Sequence, residues 1–140
     1  MGKMSVSGID ALTRDLADLA KLPDSVLSAM LEAEADVIVP AQQKAAREML
    51  GGKGYGTGAT AASIKKGKTK RERDGMTITV APQGTNKRGT RNAEVAFINE
   101  YGKKGQPARP FIRTANERAE KEAVEAGEKV YHAYLDSKNL

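Results

Sequence analysis

Cysteine and histidine, the residues of most zinc sites and of many nucleophile–base pairs, are almost absent from this chain. Among its 140 residues there is no cysteine and one histidine, His132. A structural zinc site needs several Cys or His ligands, and a nucleophile needs an adjacent base. We therefore expect His132 to have a surface or packing role, and we predict no metal and no catalytic residue.

Paired carboxylates and a glycine-rich segment are two weaker candidates. The pairs Glu32 and Glu34, and Glu117 and Glu120, lie in acidic amphipathic patterns that indicate solvated helix faces. The run Gly51–Gly58 does not have the order of a phosphate-binding loop, which is glycine, four residues, glycine, lysine and Ser/Thr, and its glycines favour a mobile loop. We expect no cofactor, no small-molecule substrate and no enzymatic activity.

Positive charge is the strongest chemical signal, and it is concentrated in one part of the chain. Residues 51–91 carry ten basic and two acidic side chains, although the whole chain has a net charge of only +5. A strand over 68–73 would be charged on both faces, so it is either a sheet edge or a surface for a polyanion. The residues predicted to make electrostatic contacts are Lys65, Lys66, Lys68, Lys70, Arg71 and Arg73.

The elements that must position this surface begin with two helices. Apolar residues recur at steps of three and four from Ile9 to Leu19, behind a capping-box pair at Ser7 and Asp10. A second helix is predicted from Asp24 to Leu50, and Pro40 predicts a kink or a break within it. Its predicted buried stripe comprises Val26, Met30, Ala33, Val37, Ala41, Ala45 and Met49.

The middle of the chain predicts short elements and exposed loops. We expect a short helix from Ala59 to about Lys65, a strand over 68–73, a turn at Asp74–Gly75 and a strand over 76–81. Alternation of Met76, Ile78 and Val80 with threonines predicts one apolar strand face. The polar segment 82–92 is predicted to be a second loop.

The last third predicts a short helix, a stiff elbow and a long helix. The short helix should run from Glu94 to Tyr101, with Phe97 extending its apolar face, and should end at Gly102. Proline restricts both itself and the residue before it, so Ala108–Phe111 suits a fixed elbow, which Arg109 and Phe111 should hold and which should place Phe111 and Ile112 against the core. Thr114 and Glu117 form a capping box for the last helix, which needs a sheet, a helix or another subunit to pack on. Its predicted stripe is Ala115, Ala119, Ala123, Ala126, Val130 and Tyr134.

Together these elements predict one α+β domain over residues 1–140. N-terminal helices and a long C-terminal helix would pack on a small antiparallel sheet with long mobile loops. Its parts are a helical region (7–50), glycine-rich and basic loops with a hairpin (51–92), and the short helix, elbow and last helix (93–140). No apolar run approaches the roughly 20 residues of a membrane span, so we expect no membrane association.

The segment around the elbow resembles a known family, the gene-product-ten-like tail-component or neck family of long-tailed double-stranded-DNA phages and prophages. That family has a short helix ending in an acidic residue, an aromatic and glycine, then a turn to Ala-Arg-Pro-Phe and a final helix. The matching residues are Glu100, Tyr101, Gly102, Ala108, Arg109, Pro110 and Phe111. An upstream family element looks like Thr57, Gly58, Ser63 and Ile64, with Ala61 and Ala62 where a Leu-Arg pair is common.

The resemblance, which covers about residues 55–115, implies a structural virion protein without catalysis. Such a protein assembles as a ring, expected to be sixfold, at the head–tail junction, as a neck or tail-completion component. Its partners would be itself and adjacent head-completion, tail-terminator or tail-tube proteins. It would be made in the host bacterial cytoplasm and reside in the virion.

The composition leaves a second function open, a nonspecific basic DNA-binding protein. The sequence predicts neither a recognition helix nor aromatics beside the lysines. Contact with phage DNA, if it occurs, would therefore be to phosphates and would weaken with salt.

Overall fold

The computed structural model of the chain describes residues 22–51 and 58–138. Helices and short strands follow one another and confirm the α+β class. The elements are α1 Asp24–Leu50, α2 Ala59–Ser63, β1 Ile64–Lys66, β2 Lys70–Glu72, β3 Gly75–Thr77, β4 Val80–Pro82, α3 Asn92–Tyr101 and α4 Phe111–Ser137. The helix predicted around Ile9–Leu19, with its capping residues, and most of the glycine-rich run lie outside the described residues.

Helix α1 has the predicted bounds and continues through Pro40, so of the kink or break predicted near Asp36–Pro40 the structure excludes the break. Pro40 is exposed within a continuous helix. Ile38 and Ala45, on either side of it, are buried in the core. Because packing of an apolar face supplies most helical stability in proteins, it outweighs the one hydrogen bond that the proline removes.

The buried face of α1 is wider than the predicted stripe. Of the seven predicted positions only Met30 and Ala45 are fully buried, and the others are half-buried. The helix packs against α4 as well as against α2 and strands β1, β3 and β4, so a broad arc of its surface is covered. The fully buried residues are Leu27, Met30, Leu31, Glu34, Ala35, Ile38, Gln42, Ala45, Ala46 and Leu50.

Helix α4 packs along α1. The sequence left open whether a sheet, a helix or another subunit supports α4, and within the chain this support is a helix. A Cβ added to Gly127 would overlap the Glu34 carboxylate of α1, and Gln42 Nε2 donates to Asn116 Oδ1 at 3.0 Å. The earlier residue of α1, Glu34, thus contacts the later residue of α4, Gly127, so the two helices are antiparallel. The predicted stripe of α4 is buried at Ala115, Ala119 and Ala123, and half-buried at Ala126, Val130 and Tyr134.

The strands form two separate antiparallel pairs instead of one hairpin sheet. β1 pairs with β4, with Ile64 opposite Pro82, and β2 pairs with β3, with Arg71 opposite Met76. The helix expected over Ala59–Lys65 therefore ends at Ser63, and the strand expected over 76–81 is divided between two partners. Alternation nevertheless identified the buried side chains correctly, since Met76, Ile78 and Val80 all lie in the core.

The β2–β3 turn lies one residue earlier than predicted. Glu72 pairs with Gly75, which leaves Arg73 and Asp74 as the two loop residues. Gly75 is the first residue of β3 and has a φ of 148°, a positive value that glycine adopts more readily than other residues. The expected strand over 68–73 is correspondingly shorter, at Lys70–Glu72.

Candidate interaction surfaces

Two of the residues that carry the family resemblance, Glu100 and Gly102, connect α3 to the start of α4. The Glu100 carboxylate, which is buried, accepts hydrogen bonds from the backbone N–H groups of Ile112 at 2.9 Å and Arg113 at 3.0 Å. These groups belong to the first turn of α4, where N–H groups have no partner within the helix. Glu100 therefore caps α4 from a different helix, and its negative charge lies at the positive end of the helix dipole.

This cap replaces the capping box predicted at Thr114 and Glu117. Helix α4 begins at Phe111, so Thr114 lies inside its first turn and donates its N–H to the Pro110 carbonyl. The prediction was wrong because the local pattern contains no information about an acceptor eleven residues before the helix. Phe111 itself is fully buried, as the elbow prediction required.

A tight turn between α3 and the elbow brings Glu100 to that position. Gly102 ends α3 with a φ of 79°, and an added Cβ would lie 2.8 Å from Ala108 N. The Asn99 carbonyl accepts the Arg109 N–H at 2.6 Å, and its side-chain oxygen accepts from Gln106 at 3.0 Å. The motif residues thus form one hydrogen-bonded unit, which we call the elbow module (residues 99–113).

Helix α3 buries polar side chains and exposes its aromatic ones, although the sequence predicted an apolar face that includes Phe97. Its buried residues are Asn92, Ala96, Asn99 and Glu100. The three polar residues bond to neighbouring backbone: besides the Asn99 and Glu100 bonds, Asn92 Nδ2 donates to the Gln83 carbonyl at 2.9 Å. These hydrogen bonds compensate the cost of removing the polar side chains from water. The polar side of α3 can therefore be buried, and its aromatic side chains can remain exposed.

Phe97 and Tyr101 form an exposed aromatic pair on α3. Their side chains are 44% and 66% exposed, and their ring centroids are 4.8 Å apart. Large exposed aromatics in contact with each other are typical of interaction sites and not of a solvated face. We call this pair the aromatic ridge. Phe97, which was predicted to extend the apolar face of the helix, therefore lies on its exposed side.

The six predicted basic residues are all exposed, and the structure distributes them over β1, β2 and the adjoining turns. Two of them are bound to acidic residues of α1: Lys66 Nζ lies 2.9 Å from Asp36, and Arg71 lies 3.0 Å from Asp24. The hydrogen bond with Asp36, helped by the charges of Asp36 and Glu32 and opposed by partial desolvation, raises the pKa of Lys66 above 10.5. These two ion pairs attach the basic strands to α1.

The upstream element of the resemblance surrounds α2. Gly58 precedes the helix with a φ of 82°, and its carbonyl accepts the Ala62 N–H. The Ser63 hydroxyl donates to the Thr60 carbonyl, and Ile64 is fully buried. These residues have structural roles in the end of the helix and the start of β1. Thr57 lies outside the described residues.

An open groove separates the exposed edges of α1 and α4. It encloses about 390 Å³ and is lined by Asp36, Val37, Pro40, Ala41, Lys44, Ala45, Ala115, Arg118, Ala119 and Glu122. Short alanine side chains from both helices leave this space unfilled, and charged side chains surround it. We call it the interhelical groove; the sequence predicted the alanine stripe but not the opening beside it.

The described part of the chain holds no group of three or more residues suited to bind a metal ion, and no helix within it is long and apolar enough to cross a bilayer.

His132 is exposed, and its ring centroid lies 5.8 Å from that of Tyr131. Of the paired carboxylates, Glu34 is buried against Gly127, whereas Glu32, Glu117 and Glu120 are exposed. The structure therefore does not bring these residues together into a site.

Comparison with protein-family models, with curated proteins and with solved structures finds no match for this chain.

Proposed function

We propose that this chain is a structural virion protein of a tailed phage or prophage, a neck or tail-completion component that assembles as a ring at the head–tail junction. The observation that carries the proposal is the elbow module. Glu100 caps α4, Gly102 forms the turn, and Phe111 anchors the start of the helix. The segment that resembles the family's motif is thus a coherent unit, which is what a fold shared with that family requires.

The surfaces of the chain are suited to binding other proteins. The elbow module fixes α3 against α4, so the aromatic ridge is held in a defined position before any partner binds. A preorganised aromatic anchor loses little conformational entropy on association. Exposed lysines and arginines add electrostatic attraction, which mainly increases the association rate and selects acidic neighbours.

The proposed partners are other copies of the chain, in a ring expected to be sixfold, and the adjacent head-completion, tail-terminator or tail-tube proteins. Identical head-to-tail contacts close into a ring when the rotation between copies permits it. The proposed location is the mature virion, after synthesis in the host bacterial cytoplasm. No catalytic step is part of this function.

A phage or lysogen that carries a nonsense codon in this gene tests the proposal. Without the protein, electron microscopy should show filled heads and finished tails that are not joined, and infectious titre should fall by several orders of magnitude. Expression of the wild-type chain from a plasmid should restore both. Normal joined particles in the absence of the protein would overturn the proposal.

The charge distribution favours a second candidate function, nonspecific binding of duplex DNA. Between residues 64 and 106 the chain carries eleven basic and four acidic side chains, and all eleven basic ones are exposed. Phosphate contacts of this kind give an affinity that falls steeply with salt. This function would be favoured if the chain retains duplex DNA at physiological ionic strength and loses this binding when four residues are replaced by Gln: Lys65, Lys68, Lys70 and Arg73. If the chain retains no DNA, the function is excluded.

A further inference from the structure

The aromatic ridge and the interhelical groove lie on different parts of one chain and have complementary properties. We propose that the ridge of one copy docks into the groove of a second copy, and that this contact builds the oligomer. The inference rests on the proposed function, which requires a ring, and it identifies the two surfaces that would form it.

The shape of the groove suits aromatic side chains. Its apolar lining comes from Val37, Pro40 and four alanines, and its volume of about 390 Å³ lies within the range of sites that enclose organic ligands. Alanines at these positions leave space that a larger side chain from outside can fill. Phe97 and Tyr101 are the two large apolar residues that the described part of the chain leaves exposed.

The lengths of the two surfaces also correspond. Helix α3 has ten residues and is therefore about 15 Å long, at 1.5 Å per residue. The groove follows α1 from Asp36 to Ala45, a rise of about 14 Å on the same basis. Helix α3 can therefore lie along the groove with its ends near the charged side chains at either end.

Those charges determine the orientation. Because α1 and α4 are antiparallel, Asp36 and Glu122 lie toward one end of the groove, and Lys44 and Arg118 toward the other. Helix α3 carries the exposed acid Glu94 in its first turn, while the exposed Lys103 and Lys104 follow its last turn. Docking that brings the two lysines to Glu122, at the end where Asp36 is paired with Lys66, also brings Glu94 to Lys44, at the end where Arg118 is paired with Glu48.

The overall charge of the two regions favours a second copy as the occupant. Helices α1 and α4 together carry eleven acidic and six basic side chains, a net charge of −5, whereas residues 64–106 carry a net charge of +7. Like regions of two copies repel each other, and unlike regions attract. When the ridge-to-groove contact is made once between each pair of neighbouring copies it is heterologous, and heterologous contacts form rings if the rotation closes and filaments if it does not.

Two complementary loss-of-contact variants test this contact in the purified chain. The ridge variant carries Phe97→Ser and Tyr101→Ser, and the groove variant carries Ala41→Trp. The matched control is Ala29→Trp, an exposed alanine of α1 outside the groove. Circular dichroism and thermal unfolding establish that each variant is folded.

Sedimentation velocity should show oligomers for the wild-type chain and the control, and monomers for the ridge and groove variants. An equal mixture of the two variants should form a one-to-one dimer, because each variant retains one intact surface. Where the wild-type chain oligomerises, a mixture of folded variants that stays monomeric, or a ridge variant that oligomerises like wild type, would overturn the contact.

If the chains associate only weakly, cross-linking tests whether the ridge contacts the groove. The chain has no native cysteine, so each introduced cysteine is the single reactive thiol of its copy. Tyr101→Cys in one copy should cross-link with Ala41→Cys in another through a short bis-maleimide, and not with Ala29→Cys. A monomeric wild-type chain together with equal yields for both pairs would overturn the proposal.

The two proposals fail separately. If variants without the contact still support head–tail joining, the contact is wrong and the function stands. If the contact forms but particles join without the protein, the function is wrong and the contact stands.

Discussion

Glu100 and Ile112 are joined by a hydrogen bond of 2.9 Å between the buried carboxylate of α3 and a backbone N–H in the first turn of α4. The second carboxylate oxygen accepts the Arg113 N–H at 3.0 Å. One side chain thus fixes the position of the short helix that carries the aromatic ridge relative to the long helix that lines the groove. Stability and the proposed assembly both depend on it.

Replacing Glu100 by Ala should lower the free energy of unfolding by about 2 kcal/mol or more, because two N–H groups, one of them buried, lose a charged acceptor. Glu94→Ala on the exposed face of α3 is the control and should change it by less than about 0.5 kcal/mol. Urea unfolding followed by circular dichroism measures both. Equal effects would show that Glu100 does not act as a cap.

Gly102→Ala should be far more destabilising than Gly105→Ala. Both glycines have a φ near 80°, so both substitutions introduce similar backbone strain. At Gly102 the new Cβ would also lie 2.8 Å from Ala108 N and 2.9 Å from the Gln106 carbonyl, whereas nothing lies within 4 Å at Gly105. Gly105→Ala should cost about 1 kcal/mol, and Gly102→Ala clearly more. Thermal unfolding of the two variants provides the comparison, and similar melting temperatures would contradict the crowding argument.

Much of the fold could be predicted because it depends on local patterns. The helix predicted over Asp24–Leu50 has the bounds of α1, and alternation identified Met76, Ile78 and Val80 as buried. The β2–β3 hairpin was predicted with its turn one residue away, but the β1–β4 pair could not be, since a three-residue strand has little periodicity of its own. Ile64–Lys66 became a strand because it pairs with Val80–Pro82, a partner distant in sequence.

The candidate surfaces were less predictable. Hydrophobicity alone assigned Phe97 to the apolar face of α3, but the buried side of α3 is determined by hydrogen bonds of Asn92, Asn99 and Glu100 to segments outside the helix. The groove likewise depends on the separation of α1 and α4 at Ala41 and Ala115, which a single helical pattern does not contain. The exposure of the basic residues was predictable because lysines and arginines seldom become fully buried.

Gly127→Ala should destabilise the chain although alanine favours helix. The higher propensity of alanine alone would stabilise α4 by about 1 kcal/mol. Against this, the added Cβ would overlap the Glu34 carboxylate, with Glu34 Cδ at 3.0 Å, in a tightly packed contact between helices. A double-mutant cycle with Glu34→Ala should show a coupling of about 1 kcal/mol or more in urea unfolding. Additive effects would mean that the two residues do not constrain each other.

The Lys66–Asp36 pair predicts a specific dependence on alkaline pH. The pKa of Lys66 is raised above 10.5, so its contribution to stability is complete below pH 10.5 and is lost as the pH rises through the raised value. Asp36→Asn should lower the Lys66 pKa in an NMR titration, while Asp24→Asn, which removes the other ion pair, should leave it unchanged. Because both side chains are partly exposed, the loss of stability at neutral pH should stay below about 1 kcal/mol. An unchanged Lys66 pKa in Asp36→Asn would contradict this origin of the shift.

The basic strands should separate into residues that hold the fold and residues available to partners. Lys65, Lys68, Lys70 and Arg73 are exposed, and none of them belongs to the ion pairs between described residues. Their combined replacement by Gln should leave the free energy of unfolding within about 0.5 kcal/mol of wild type. Arg71→Gln should cost somewhat more at low salt, because Arg71 binds Asp24 near the start of α1, and added salt should reduce this difference. Urea unfolding at two ionic strengths measures both effects. A large loss of stability in the fourfold variant would mean that the whole cluster is structural and that it is not reserved for an acidic partner.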